Sequence, residues 1–319
     1  MLVSVILNCL NGEKFLKRSI ESVLNQTFDI SEIVFIDNGS SDLSGEIARE
    51  YGPKISYYRN ETTITLGQAR DQGIMLAKGD LIAFIDADDK WKPDKVEKQI
   101  RLFENGASFV FSNAEMSGGQ GKDFILFDYA PPEIDNIFNS LLEKDFITTS
   151  SVMFKKDIYI NSNEKYNNNL TIECDRDLFI RFTGGSKVEY TEEVLVTRYL
   201  HNSSTSVRHN AASIKELLYL EESINNFSSN RTEYDASSLG VFNSRLNILK
   251  GRHYWQLGDL KNARASFLKS NGKKGYLMFI LTCIYPFRSS LRPVILILRY
   301  LKYLSNFLRR KINSNVNKL

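Results

Sequence analysis

Apolar positions along the chain follow two alternating rhythms as far as residue 112. Short β-branched or aromatic runs, Val3–Leu7, Glu32–Ile36, Ile55–Arg59, Leu81–Ile85 and Ala107–Ser112, read as strands. Between them the apolar spacing changes to that of helices. Leu16, Ile20, Val23 and Leu24 share one face, Leu43, Ile47 and Tyr51 another, and a third helix is expected near 67–77. Pro93 suits the first residue of a helix that turns Val96, Ile100 and Phe103 inward. Continuous apolar strands alternating with helices predict a mainly parallel sheet covered on both faces.

Beyond this series the rhythm loosens. Residues 113–150 are Gly-rich and irregular, with "SGGQGK" and "APPE" as loop markers. A strand at 150–154, a helix near 175–183 and strands near 187–190 and 194–199 follow. From about 211 the pattern is helical, and "GRHYWQLGDLKNARASFLKSN" (251–271) predicts a helical hairpin turning at Gly258-Asp259. Three regions result: 1–208, a helical region 209–272, and a tail 273–319.

In a parallel α/β sheet the ligand site lies outside the carboxyl ends of the strands. The residues just past those ends are Asn8, Asp37-Asn38 and "DADD", Asp86 to Asp89. Three carboxylates in four residues repel one another unless a cation sits among them. A calcium loop counted from Asp86 fails, because Lys90 and Trp91 stand at its fifth and sixth positions. A Mg²⁺ or Mn²⁺ site shared with a diphosphate needs only one or two carboxylates.

Charge divides the chain. All 38 acidic residues lie at or before Asp259 with 28 of the 41 lysines and arginines, leaving 13 basic residues and no acid beyond it. In that tail Arg292, Arg299, Lys302 and Arg309 recur at helical spacing opposite Leu291, Ile295, Leu298, Leu301, Leu304 and Leu308. A basic amphipathic helix predicts contact with an anionic membrane surface through 276–311. A helix docked on the protein is the competing reading. Nucleic acid is not expected, since no binding motif accompanies the charge. Cys9, Cys174 and Cys283 fit neither a disulfide framework nor a metal spacing, which suggests a reducing compartment. The amino-terminal run reads as a strand rather than a signal peptide. No run reaches the roughly 18 apolar residues of a membrane span.

Four stretches occur in order: "VSVILNCLNGEKFLKRSIESVLNQTF", "EIVFIDNGSSD", "LGQARDQGIMLAKGDLIAFIDADD" and "ECDRDLFIR". Together they resemble the nucleotide-sugar glycosyltransferases of family 2 over residues 2–206. The resemblance implies a GT-A fold, Rossmann-like, followed by an α-helical carboxyl-terminal region. It implies transfer of a sugar, with inversion, from a nucleoside-diphosphate sugar (a UDP-sugar first) to a hydroxyl of a glycan or lipid-linked glycan, with Mn²⁺ or Mg²⁺ as cofactor. Surface polysaccharide synthesis at the inner, cytoplasmic face of a membrane follows as the expected setting. By the same resemblance Asn8 lies beside the base or ribose, Asp37 and Asn38 border the base, and Arg70 serves the nucleotide. Asp86 faces the ribose, Asp88 binds the metal, and Asp89 either supports them or stands on the acceptor side. His201, in "RYLHNSSTS", approaches the metal or diphosphate. Asp175 is the catalytic base, with Glu173 and Asp177 as contenders. The chain departs from the family pattern at Asn38 and Asp71, where relatives often have Asp and Asn, and at Cys174, where they usually have Glu. A non-catalytic nucleotide-sugar-binding or scaffold protein of the same fold is the alternative.

Overall fold

The computed structural model describes residues 1–118, 123–133, 136–201, 214–229, 235–270 and 272–284. It divides into two units, residues 1–242 and residues from 243 onward.

The first unit opens with β1 (Val3–Cys9), α1 (Glu13–Leu24), β2 (Glu32–Asp37), α2 (Ser44–Glu50), β3 (Ile55–Arg59), α3 (Leu66–Leu76) and β4 (Leu81–Asp86). Strands β3, β2, β1 and β4 pair side by side, all parallel. β1 is the central strand, and Val3, Val5, Ile6 and Leu7 on it are fully buried. Each such aliphatic side chain removed from water contributes about 1.5–3 kcal/mol. Val3, Val5 and Leu7 pack with Leu16, Ile20 and Val23 of α1 on one face. Ile6 points to the other face, against α3. There Gly73 lets helix and strand approach so closely that a Cβ would lie 2.6 Å from Ile6 Cγ2. The sheet is therefore covered on both faces, as the apolar rhythm predicts.

Past β4 the sheet becomes mixed. β5 (Lys90–Trp91), α4 (Lys95–Glu104), β6 (Phe109–Gly118), β7 (Phe124–Ile125), α5 (Leu126–Tyr129), α6 (Ile137–Glu143), β8 (Met153–Lys155), α7 (Lys156–Asn161), α8 (Cys174–Thr183) and β9 (Val188–Leu200) follow. The strand order is β3-β2-β1-β4-β8-β6-β9-β5, with β7 on β6. β8 runs antiparallel to both β4 and β6, while β6 and β9 are parallel. α4 begins at Lys95, two residues past Pro93, whose carbonyl accepts from Thr27 N at 2.9 Å. β9 is one 13-residue strand, where the sequence reads as two because Thr191, Glu192 and Glu193 break the apolar run. Those residues sit beside an irregularity in its register with β6 at Ser112–Asn113.

Helix α9 (Ile214–Ser229), part of the helical stretch expected from 209, groups with residues 1–242. Its buried Glu216 ties it to the segment ahead of α8. One carboxylate oxygen accepts the backbone N–H groups of Thr171 and Ile172, each at 2.5 Å, and of Glu173 at 3.2 Å. α10 (Ala236–Gln256) runs across the division at 242/243.

In the second unit Gly258, at φ +81°, turns the chain, and Asp259 caps α11 (Leu260–Lys269) by accepting from Asn262 N at 3.0 Å. Trp255, Ala263 and Phe267 pack with Met278 and Leu281 of α12 (Lys273–Ile284). Among the described residues no helix is long and apolar enough to cross a membrane. The basic amphipathic tail expected at 291–309 lies outside the described residues.

Candidate active site

The register of the parallel strands brings the polar strand ends to one edge. Asn8 lies opposite Ile36 on one side and Asp86 on the other, and Cys9 lies opposite Asp37. Both polar atoms of the Asn8 side chain are buried there without a hydrogen-bond partner. That is a costly arrangement which a ligand would relieve.

Asp86 continues β4 into a tight turn closed by Asp89 N donating to Asp86 O at 3.1 Å. Helix α1 grips the turn: Ser19 Oγ donates to the carbonyls of Ala87 (2.8 Å) and Asp89 (2.6 Å), and Arg18 donates to that of Asp88. From the other side Ser150 Oγ accepts from Asp86 N at 3.0 Å and donates to Asp89 Oδ2. Trp91, buried, donates its indole N–H to Ser150 O at 2.8 Å. Oxygens of Asp86, Asp88 and Asp89 converge to within 4.8 Å of one another. Burial first, then the charges of Asp86 and Asp88, pushes the Asp89 carboxyl well above its ordinary range. Burial and the charge of Asp86 also push Asp88 up, opposed by His201 and Arg198. A divalent cation would supply the missing positive charge, so the donor set fits a hard metal ion. His201 Nε2 stands 3.0 Å from Asp88 Oδ2, with its ring stacked on Phe15 at 4.3 Å. Asp89 is turned inward and engaged by Ser150 and by Tyr199 N, whereas Asp86, Asp88 and His201 keep part of their side chains exposed.

Asp37 and Asn38 are tied into the protein. Asp37 is fully buried. Its carboxylate accepts from Tyr57 Oη and Arg59 Nη1, each at 2.6 Å, and from Ser40 N at 2.7 Å. Burial would raise this carboxyl, but the hydrogen bonds from Tyr57 and Ser40 and the charge of Arg59 outweigh it, and its pKa falls. Asn38 donates to Ile64 O at 2.9 Å and accepts from Ile64 N at 3.1 Å. An aspartate could not make the first of these bonds, because a carboxylate only accepts. Asn38 thus clamps the stretch leading into α3. Gly39, at φ +83°, then turns the chain between Asn38 and Ser40.

Arg70, on α3, is 3% exposed and is no surface salt bridge. Its guanidinium spans two carboxylates, donating to Asp86 at 2.6 Å and to Asp175. Asp175 is not the cap of α8, as a common use of Asp would suggest; it is the second helical residue, after Glu173 at the cap position. Its carboxylate also accepts from Thr149 Oγ1 at 2.8 Å and Tyr166 Oη at 3.0 Å. The two contenders point elsewhere. Asp177 is fully buried and engaged by Arg181, and Glu173 faces Arg176 at 3.6 Å. Of the three acids, Asp175 is the one the arginine joins to the "DADD" edge. Cys174 is fully buried, and burial pushes its thiol up to about 12, which makes it a packed rather than a reactive group.

The fold is that of GT-A glycosyltransferases. The crystal structure of S. aureus TarS in complex with UDP-GlcNAc superposes with a TM-score of 0.67 at 15% identity, covering 85% of this chain and 82% of that one. The chain belongs to glycosyl transferase family 2, whose sequence profile matches residues 4–161. An uncharacterized glycosyltransferase of Methanocaldococcus jannaschii is 33% identical over 213 residues, 63% of this chain and 71% of that protein. Another, of Rickettsia typhi, is 29% identical over 216 residues, 64% of this chain and 66% of its own length.

Proposed function

We propose that the protein transfers a sugar from a nucleoside-diphosphate sugar to a hydroxyl of a glycan or lipid-linked glycan, with inversion and with a divalent metal. The arrangement that carries this reading is Arg70 bridging the acidic edge at Asp86 to the isolated carboxylate of Asp175. A leaving-group site and a proton acceptor are thereby held in one frame. The donor occupies the strand ends, with its nucleoside by Asn8 and Asn38 and its ribose by Asp86. Asp88 and His201 would hold Mn²⁺ or Mg²⁺, which when bound supplies Lewis-acid neutralisation of charge on the diphosphate. Asp175 accepts the proton of the attacking hydroxyl. One base opposite one leaving group makes a single in-line displacement, hence inversion. UDP is the first choice of nucleotide because the S. aureus relative in fold holds UDP-GlcNAc. Assembly of a surface polysaccharide at the inner face of the membrane, with the basic tail at the lipid surface, is the setting this reading favours.

Calorimetry with UDP, GDP and dTDP, each with and without Mn²⁺, tests the donor site, with Asp88→Asn in parallel. Mn²⁺-dependent binding of one nucleotide, lost in the variant, is expected. Asp175→Asn is expected to retain that binding and lose turnover. No binding of any of the three by the parent protein, or full turnover by Asp175→Asn, would overturn the reading.

A further inference from the structure

Asp175 is held by three side chains that no motif marks, or marks for another role. On Oδ2 it accepts from Arg70 Nη1 and from Thr149 Oγ1 at 2.8 Å, and on Oδ1 from Tyr166 Oη at 3.0 Å. A carboxylate offers about four lone-pair directions, two on each oxygen. Oδ2 is therefore filled and Oδ1 has one direction left. Resting on the reading of Asp175 as the base, we infer that Tyr166 and Thr149 are positioning residues that turn the open lone pair of Asp175 Oδ1 toward the acceptor hydroxyl. In that step the hydroxyl oxygen bonds to the anomeric carbon, and the bond from that carbon to the diphosphate oxygen breaks. Its electron pair leaves with the diphosphate, and the hydroxyl proton passes to Oδ1.

The surroundings of Tyr166 are built for this. The residue is buried, and its ring meets Phe84 of β4 edge-on at 6.4 Å. Its backbone N–H donates to Tyr159 Oη at 3.2 Å, and Tyr159 donates its own proton to Asp71. Asp71 follows Arg70 on α3, so this helix reaches the base twice: directly through the arginine, and through two tyrosines from the next residue. The acid at position 71, a departure from the family pattern, is the acceptor this relay needs. Arg181 fixes the same segment from α8 by donating to Lys165 O at 2.7 Å. Thr149 comes from the turn that also supplies Ser150 to the acidic edge, so one loop sets both halves of the site.

Tyr166→Phe deletes one hydroxyl and keeps the backbone bond to Tyr159. Thr149→Val deletes the other at nearly constant shape, and Thr149→Ser restores it. The assay is release of nucleoside diphosphate from UDP-GlcNAc with Mn²⁺, with water as acceptor, read as kcat and donor KM. Expected is a loss in kcat of about tenfold or more in Tyr166→Phe and Thr149→Val, the order a small misplacement of a reacting group costs. Donor KM and nucleotide affinity stay within about twofold and Thr149→Ser recovers most of the rate, the pattern of an interaction made only in the transition state. Unchanged kcat in both hydroxyl deletions overturns the inference. So does a fall in kcat that comes with an equal loss of nucleotide affinity and is not rescued by serine, which is the pattern of a purely structural role. If Tyr166→Phe does not fold, the Val/Ser pair at 149 decides alone. Undiminished release by Asp175→Asn removes the base reading beneath it instead.

Discussion

Replacing Arg70 by Met would leave two carboxylates facing each other without the cation between them. The methionine chain fills much of the same volume, so the loss is electrostatic rather than steric. The guanidinium is 3% exposed, and its partners Asp86 and Asp175 are 33% and 17% exposed. Removing one partner of a buried pair costs about 3–5 kcal/mol. Because both carboxylates keep some contact with water, the lower end, about 3 kcal/mol, is expected. In a unit of this size 1 kcal/mol moves the melting temperature by about 2–4 °C, which gives a fall of about 6–12 °C. The assay is thermal unfolding followed by circular dichroism at pH 7, with Arg70→Met beside Arg70→Met/Asp175→Asn. Removing one stranded charge makes the double variant recover part of the loss, since residues sharing a network do not add. A melting temperature within about 2 °C of the parent in Arg70→Met would refute the reasoning. So would a double variant whose losses simply add.

Three further outcomes follow from the same geometry. Asp88→Asn relieves repulsion within the acidic turn, so its melting temperature is expected to equal or exceed that of the parent; a clear fall would show the carboxylate is structural. Asp37 has its pKa lowered in the fold, so its stabilising contribution is complete above the unfolded value of about 4 and is lost as pH falls through the lower folded value. Parent and Asp37→Asn should therefore differ in urea unfolding at pH 7 and converge near pH 2, and a constant gap would contradict this. Lys95 is fully buried beside Trp91, with its ammonium 4.1 Å from the ring centre and 2.6 Å from Gln99 Oε1. Burial sets its pKa well below the ordinary range, so the unfolded chain binds its proton more tightly and stability rises with pH until about 10.4. Lys95→Met should flatten that rise between pH 7 and 10 in urea unfolding, and an unchanged slope would refute it.

The first half of the fold is legible because each parallel strand is a continuous apolar run ending in a polar residue. Asn8, Asp37 and Asp86 announce both the strands and the edge they share. β9 is less legible, since an irregular register tolerates Glu192 and Glu193 in mid-strand. Asp88 and Asp175 are singled out in the sequence by the family resemblance alone, and the structure adds which neighbours hold them. What joins them is not in any local pattern. Arg70 meets Asp175 from 105 residues away; Thr149 and Tyr166 sit in stretches that read as ordinary loop, and Ser150 opens the run that reads as a strand at 150–154. Long-range hydrogen bonds leave no periodicity to find. Asp71 is the one visible trace, since the resemblance leads one to expect Asn there and the structure has Tyr159 donating to the acid.

The three backbone N–H groups that Glu216 collects, just ahead of Asp175, bear on how the protein is made. Synthesis runs from the amino terminus, so strands, acidic turn and the residue at 175 all emerge before their anchor does. Until residue 216 has cleared the ribosome, the N–H groups at 171–173 have only water to accept from them, and the bend ahead of Asp175 lacks this anchor. A chain cut after residue 208 would lack that anchor, with the strand-end edge formed and the segment leading into Asp175 less firmly held. The candidate site is thus completed from behind, by a helix that comes later in the chain.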